Sequence, residues 1–380
     1  MTRSYKFGFI LTVKLGNSTR FRILKKYAER EKLVELTWAP IDYEPANSSF
    51  VRFVSRMPGF LRWRLIVLYQ SAPVLSRLKE LDAVMVHQIE PSVLLSVRRS
   101  FARRPVLVSS TDDVPLVPGR KHALYANEMS RSKILQRLRL RLDLWRVNRA
   151  DLTIPMSHAA AEILISDCGV PANSVRPFHV GLDLENWPPR SLEEVREAKT
   201  RKILFVGGDF ERKGGNLLLQ VHQQAFSDDV ELHLVTTARV KPGCKNVFAY
   251  DDILPNDPRL HRLYVDCDLF VLPTYSDLSP WVVLEAMASY LPVISTKVGG
   301  IADMVQHLHT GLLIESGNSE QLEGAIRKLL DDPVECRQMG LRAREIVERD
   351  FSAEINVKKI IDLMKNAVDI EFATRNIGDP

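Results

Sequence analysis

The chain has 380 residues, 45% of them apolar and 26% charged, with a formal net charge of +5. That length favours two domains over one and therefore a cleft, and the composition excludes a disordered chain. The longest apolar runs, such as Leu269 to Pro273, fall far short of the roughly 20 residues that a membrane-spanning helix needs, and Cys168, Cys244, Cys267 and Cys336 form no CxxC pair that would suggest zinc or a disulfide framework.

The opening residues have a basic end and a short apolar run but no small-residue cleavage pattern, so the run near Phe7 to Val13 reads as a first buried strand rather than a signal peptide. Gly16 and Asn17 follow it, where a loop either approaches a sugar or simply turns. Further strands are expected near Val34 to Trp38, Ala83 to His87, Val106 to Ser110 and Leu152 to Pro155, with helices between them. His87 and Asp112-Asp113 then fall at strand C-terminal ends, the usual ligand side of a parallel sheet. Asp112 is the stronger candidate, because a strand-end histidine often only bonds backbone. Two stretches of this half are basic and amphipathic, Val51 to Leu65 and Arg131 to Arg149. Each fits an interfacial patch for anionic membrane or a solvated helix face with arginine stems covering core. No nucleic-acid reading module accompanies the charge.

GLDLENWPPR, Gly181 to Arg190, marks the domain boundary. It separates an N-terminal domain, 1–181, from a C-terminal one, 182–351, and residues 352–380, with Ile355, Ile360, Ile361 and Met364 at helical spacing, are expected to form a terminal helix that packs back on the first. Strands are expected near Ile203 to Val206, Glu231 to Val235, Leu269 to Leu272 and Val293 to Ser295. The alternation of strands and helices along the whole chain is that of an α/β protein with parallel sheets. In RKILFVGGDFERKGG a strand ends in Gly207-Gly208 and leads through Arg212 and Lys213 into a helix. Such a loop suits a diphosphate, with close backbone approach, helix N–H groups and two cations, although a solvated turn has the same composition. It is neither a Walker A loop nor GxGxxG. Downstream, Asp277 ends a buried strand, and Glu285 lies eight positions later on the helix that begins near Pro280. Asp266-Cys267-Asp268 has metal-site spacing but flanks a helix end and a strand start, which favours capping.

Together these segments resemble the family-four retaining glycosyltransferases of GT-B fold. The resemblance is carried by Lys213-Gly214, Asp277-x7-Glu285, Ala286-Met287-Ala288, Pro292-Val293-Ile294 and Gly299-Gly300, in order over about Arg201 to Phe351. Three positions depart from the pattern: Asp277 stands for the commoner Glu, Leu278-Ser279-Pro280 for Gly-Phe-Gly, and Gly208 for a frequent Arg. The N-terminal resemblance is weaker and rests on His87, Asp112, Ser157 and the Gly181-x-Asp183 pattern.

The resemblance implies two Rossmann-like domains facing a central cleft, an acceptor domain followed by a donor domain. It implies a nucleotide diphosphate sugar as donor substrate, no cofactor, no metal, retention of configuration, and a glycan or lipid-linked acceptor at the cytoplasmic face of a membrane. Lys213 and Arg212 would neutralise the leaving diphosphate, Glu285 would accept ribose hydroxyls, and Asp277 would hold the donor sugar. Gly16, Asn17, His87, Gly207, Ser279 and Trp281 complete the expected donor site, and Asp112, Asp277 and Glu285 the expected catalytic set. A sugar-nucleotide epimerase of the same fold and a silent sugar-nucleotide-binding protein are the alternatives.

Overall fold

The computed structural model describes residues 3–13, 16–42, 54, 57, 59–87, 105–111, 133–189, 200–240, 244–255 and 257–377. The chain divides into two compact units, Met1–Val180 with Ala353–Pro380, and Gly181–Ser352.

The first unit holds a five-stranded parallel sheet of β1 (Tyr5–Thr12), β2 (Val34–Ile41), β3 (Ala83–Val86), β4 (Val106–Thr111) and β5 (Leu152–Pro155), in the order β2-β1-β3-β4-β5. Strands β3 and β5 are buried at every position, as expected of a sheet covered on both faces. The helices are α1 (Gly16–Ala28), α2 (Gly59–Leu75), α3 (Lys133–Val147) and α4 (His158–Ser166), and Ser157 caps α4 by accepting from the Ala160 N–H at 3.1 Å. Beyond the second unit the chain returns as a long helix, Ala353–Ile377, which packs on α1. Its buried stripe is Val357, Ile360, Ile361, Met364 and Val368, a spacing of three, one, three and four. Ile355, which the sequence places in that stripe, is 43% exposed, because it lies two positions and some 200° around the helix from Val357. Arg3 and the Tyr5 hydroxyl, at 3.0 and 2.8 Å, both hold Asp369 of this helix.

The second unit holds a six-stranded parallel sheet, β6 (Arg201–Val206), β7 (Val230–Val235), β8 (Val247–Tyr250), β9 (Leu269–Leu272), β10 (Val293–Thr296) and β11 (Gly311–Ile314), ordered β11-β10-β9-β6-β7-β8. Strands β8 and β11 are additions to the sequence reading. Both are four-residue edge strands, and β8 leaves Phe248 43% exposed. The helices are α5 (Gly215–Ala225), α6 (Pro258–Asp266), α7 (Trp281–Ala288), α8 (Ile301–Met304), α9 (Ser319–Asp331) and α10 (Pro333–Asp350), and α11 is the returning helix Ala353–Ile377. Asp257, Asn318 and Asp332 cap α6, α9 and α10. Arg344, 4% exposed, donates one nitrogen to the carbonyls of Trp187 and Ala288 at 2.7 Å each, fastening the start of this unit to the C-terminal end of α7.

One device recurs across both sheets. The aspartate just before a strand accepts a backbone N–H from the neighbouring strand, Asp82 from Lys6, Asp151 from Leu107 and Asp268 from Lys202, at 2.8 to 2.9 Å. Asp268 also pairs with Arg201 at 3.1 Å. The role of Asp268 is thus to pin β6 to β9, rather than to cap a helix.

In both sheets the first strand of the unit has later strands on either side. The order in which successive strands are added reverses between β1 and β3 in one and between β6 and β9 in the other, all strands staying parallel. Crevices of this kind open at the C-terminal ends of the strands, which puts Thr12 and His87 at one switch point and the loops after Val206 and Leu272 at the other.

Candidate active site

In the second unit the loop after β6 folds on itself through bonds from the N–H groups of Lys213, Gly214 and Gly215 to the carbonyls of Asp209, Glu211 and Phe210, at 2.7 to 3.0 Å. It then meets the loop after β9. Gly214 has φ +79°, and a Cβ there would lie 2.0 Å from the Pro273 carbonyl oxygen, so the approach requires glycine. The Arg212 carbonyl accepts from Tyr275 N at 2.8 Å and from Thr274 Oγ1 at 3.1 Å. The Arg212 side chain joins Asp209 at 2.8 Å and the Ser276 carbonyl at 2.6 Å. Arg212 is therefore a stitch between the two loops as well as a cation at their edge.

Lys213 and Asp277 form a direct ion pair, with side chains only 14% and 9% exposed. The loop after β10 closes on the same acid. Gly300 N donates to the Asp277 carbonyl at 3.2 Å, and a Cβ on Gly299, φ +54°, would sit 1.7 Å from that oxygen. Both glycine motifs thus have a steric cause, the close packing of backbone around one acid. Ser279, two positions further along the loop, has a buried Oγ with no hydrogen-bond partner among the described residues. Trp281 opens α7 with Pro280 as its N-cap. Gly207 backs onto the Lys213 side chain, its virtual Cβ 3.1 Å from Lys213 Cγ, whereas a side chain on Gly208 would meet open space, the nearest atom being 4.0 Å away.

Glu285, one turn into α7, is partly exposed. Its Oε2 accepts from the Tyr264 hydroxyl at 2.9 Å. Burial pushes the carboxyl up from 4.5 to about 7, and the tyrosine hydrogen bond offsets part of that rise. Tyr264 itself is fully buried in α6, against Trp187 and Phe270, and burial and the carboxylate raise its own pKa.

At the other switch point His87, 2% exposed, bonds through Nδ1 with Thr12 Oγ1 at 2.7 Å. The neighbouring Arg20 guanidinium, 3% exposed, bonds Ser110 Oγ at the end of β4. Gly16 and Asn17 are the first residues of α1 rather than a loop after β1, and Asp112 lies outside the described residues. The structure thus brings Gly207, Arg212, Lys213, Asp277, Ser279, Trp281 and Glu285 onto adjoining loops and one helix of the second unit. His87 belongs to the first unit, with Thr12. Sequence reading missed Tyr264 and Arg20. Tyr264 follows Leu260 at helical spacing, which signals core, and nothing local marks its hydroxyl.

The basic segments do not act as uniform patches. In α3, Arg137 and Arg141 are exposed while Arg146 is buried at 8%, and the Arg149 guanidinium lies 5.2 Å from the centre of the Trp145 ring. Arg64 of α2 is exposed, and most of Val51 to Gly59 lies outside the described residues. Among the described residues no helix is long and apolar enough to cross a membrane.

Two Rossmann-like units, one with a glycine–lysine loop and paired acids at its switch point, define the GT-B class of sugar-transferring folds. Solved structures agree on the fold: the sucrose-phosphate synthase of Thermosynechococcus elongatus superposes with a TM-score of 0.73 over 96% of this chain and 99% of that one at 17% identity. Anabaena HepE in complex with UDP-glucose gives 0.68 over 95% and 99% at 18% identity. The glycosyltransferase family 4 model matches residues 29–186 and the glycosyl transferases group 1 model residues 200–332, and the chain belongs to this family. A relative of known name, the sulfoquinovosyl transferase SQD2 of Arabidopsis thaliana, is 27% identical over 299 residues, 73% of this chain and 56% of its own length. The chain spans about half the length of the curated relatives that it matches.

Proposed function

We propose that the protein is a retaining, metal-independent glycosyltransferase that moves a hexose-type sugar from a nucleotide diphosphate sugar to a glycan or lipid-linked acceptor. The observation that carries this is the Lys213–Asp277 pair at the β6/β9 switch point, with Glu285 one turn into the helix that follows. In this reading the unit Gly181–Ser352 binds the donor. Lys213 and the first N–H groups of α7 stabilise charge on the departing diphosphate as the sugar–oxygen bond breaks. Asp277 and Ser279 hold sugar hydroxyls, and Glu285 accepts those of the ribose. The acceptor hydroxyl enters on the face that the diphosphate leaves and passes its proton to the leaving phosphate. Cation and helix charge suffice for a leaving group that is already good, so the reading needs no metal. The unit Met1–Val180 binds the acceptor, with His87 at one of its strand ends and Asp112 as a further candidate from the sequence. The exposed arginines of α2 and α3 suit attraction to anionic lipid at the cytoplasmic face, at about 1 kcal/mol each.

A thermal-shift series with UDP, GDP, ADP and their sugar conjugates, with and without EDTA, tests this. Stabilisation by one nucleotide class that EDTA leaves unchanged is expected, roughly 2.7 kcal/mol at 100 times the dissociation constant. No stabilisation at millimolar nucleotide would refute the donor site, and loss of stabilisation with EDTA would refute metal independence.

A further inference from the structure

Glu285 has two carboxylate oxygens, and the structure treats them differently. Oε2 receives the Tyr264 hydroxyl at 2.9 Å. No hydrogen bond reaches Oε1 from the described residues, and the side chain keeps partial exposure. Tyr264 sits at the far end of a rigid stack. Its ring lies edge-on to Trp187, with centroids 5.4 Å apart, and Trp187 stacks on His261 at 4.1 Å. Arg344 then fixes the Trp187 carbonyl together with that of Ala288 in the last turn of α7. Both ends of the bond are therefore immobilised, the hydroxyl through α6 and Trp187, the carboxylate through α7.

We propose that Tyr264 is a positioning residue for the donor: by occupying Oε2 it turns Oε1 of Glu285 outward as the acceptor that selects a nucleotide with ribose hydroxyls over its deoxyribose counterpart. This rests on the reading of Glu285 as the ribose acceptor. A carboxylate on a three-torsion side chain otherwise samples several rotamers, and a hydrogen bond from a group that cannot itself move converts it into a preset acceptor. Burial of the tyrosine keeps the hydroxyl protonated and donating.

The test is Tyr264→Phe, which keeps the ring in the core and removes one oxygen. Titration calorimetry on the full chain would use UDP, GDP and ADP and the 2′-deoxy form of each. The expected result is that the nucleotide preferred by the unaltered protein binds about tenfold more weakly to the variant, while its deoxy form changes much less, so that the ribose preference collapses. In a Glu285→Gln background the same substitution should remove no further preference, which a residue serving only core packing would not predict. An undiminished ribose preference in a folded Tyr264→Phe protein overturns the positioning role and leaves the donor site standing. Should Tyr264→Phe not fold, a Glu285→Gln protein that keeps the full ribose preference overturns it instead. Failure of the unaltered protein to bind any of the three nucleotides overturns the reading beneath it.

Discussion

Glu285 sets function against stability, and Glu285→Gln measures the conflict. The carboxyl titrates near 7 in the folded chain against 4.5 ordinarily, because burial disfavours its charge. Each power of ten in proton affinity corresponds to about 1.4 kcal/mol, so ionised Glu285 destabilises the fold by about 3 kcal/mol at pH 8. A raised carboxyl supports the fold fully below 4.5, and that support is lost as pH rises through 7. Glutamine keeps the shape and the oxygen that accepts from Tyr264 but never ionises. The variant should accordingly be more stable than the parent by up to about 3 kcal/mol at pH 8 and by under about 1 kcal/mol at pH 5, while losing nucleotide affinity. Hydrogen exchange of β6 and β9 amides across a urea series, at both pH values, follows the second unit by itself. An equal difference at the two pH values, or a variant less stable at pH 8, would refute the argument.

Gly214→Ala places a methyl 2.0 Å from the Pro273 carbonyl oxygen at a left-handed φ. It should destabilise by about 2–4 kcal/mol, and a melting temperature unchanged from the parent would contradict the steric assignment of that loop. Gly208→Arg enters open space, so stability should change by less than about 0.5 kcal/mol. If this loop holds the diphosphate, the added guanidinium should tighten nucleotide binding roughly tenfold, and calorimetry giving an unaltered Kd would argue that it does not.

Local chemistry made much of this protein legible. Glycines after a buried strand, a lysine at a helix start and acids eight positions apart are all short-range patterns, and the structure brings them together as the resemblance implies. Edge strands β8 and β11 escaped because four residues carry little periodicity. Arg146 and Ile355 were read from composition and spacing alone, yet one is buried and the other exposed, since a helix's inward direction is set by its neighbours.

The sequence by itself determined the two α/β units, their boundary near Gly181, and the residue types gathered at the second switch point, because strand pattern, turn chemistry and capping are encoded within a few residues of one another. Tertiary structure decided which groups meet. It pairs Lys213 with Asp277, 64 positions apart, gives Asp268 to a neighbouring strand, and aims the Tyr264 hydroxyl at Glu285 across 21 positions. Such contacts depend on the crossover order of the strands and on the burial that order imposes, and no local window of sequence contains either.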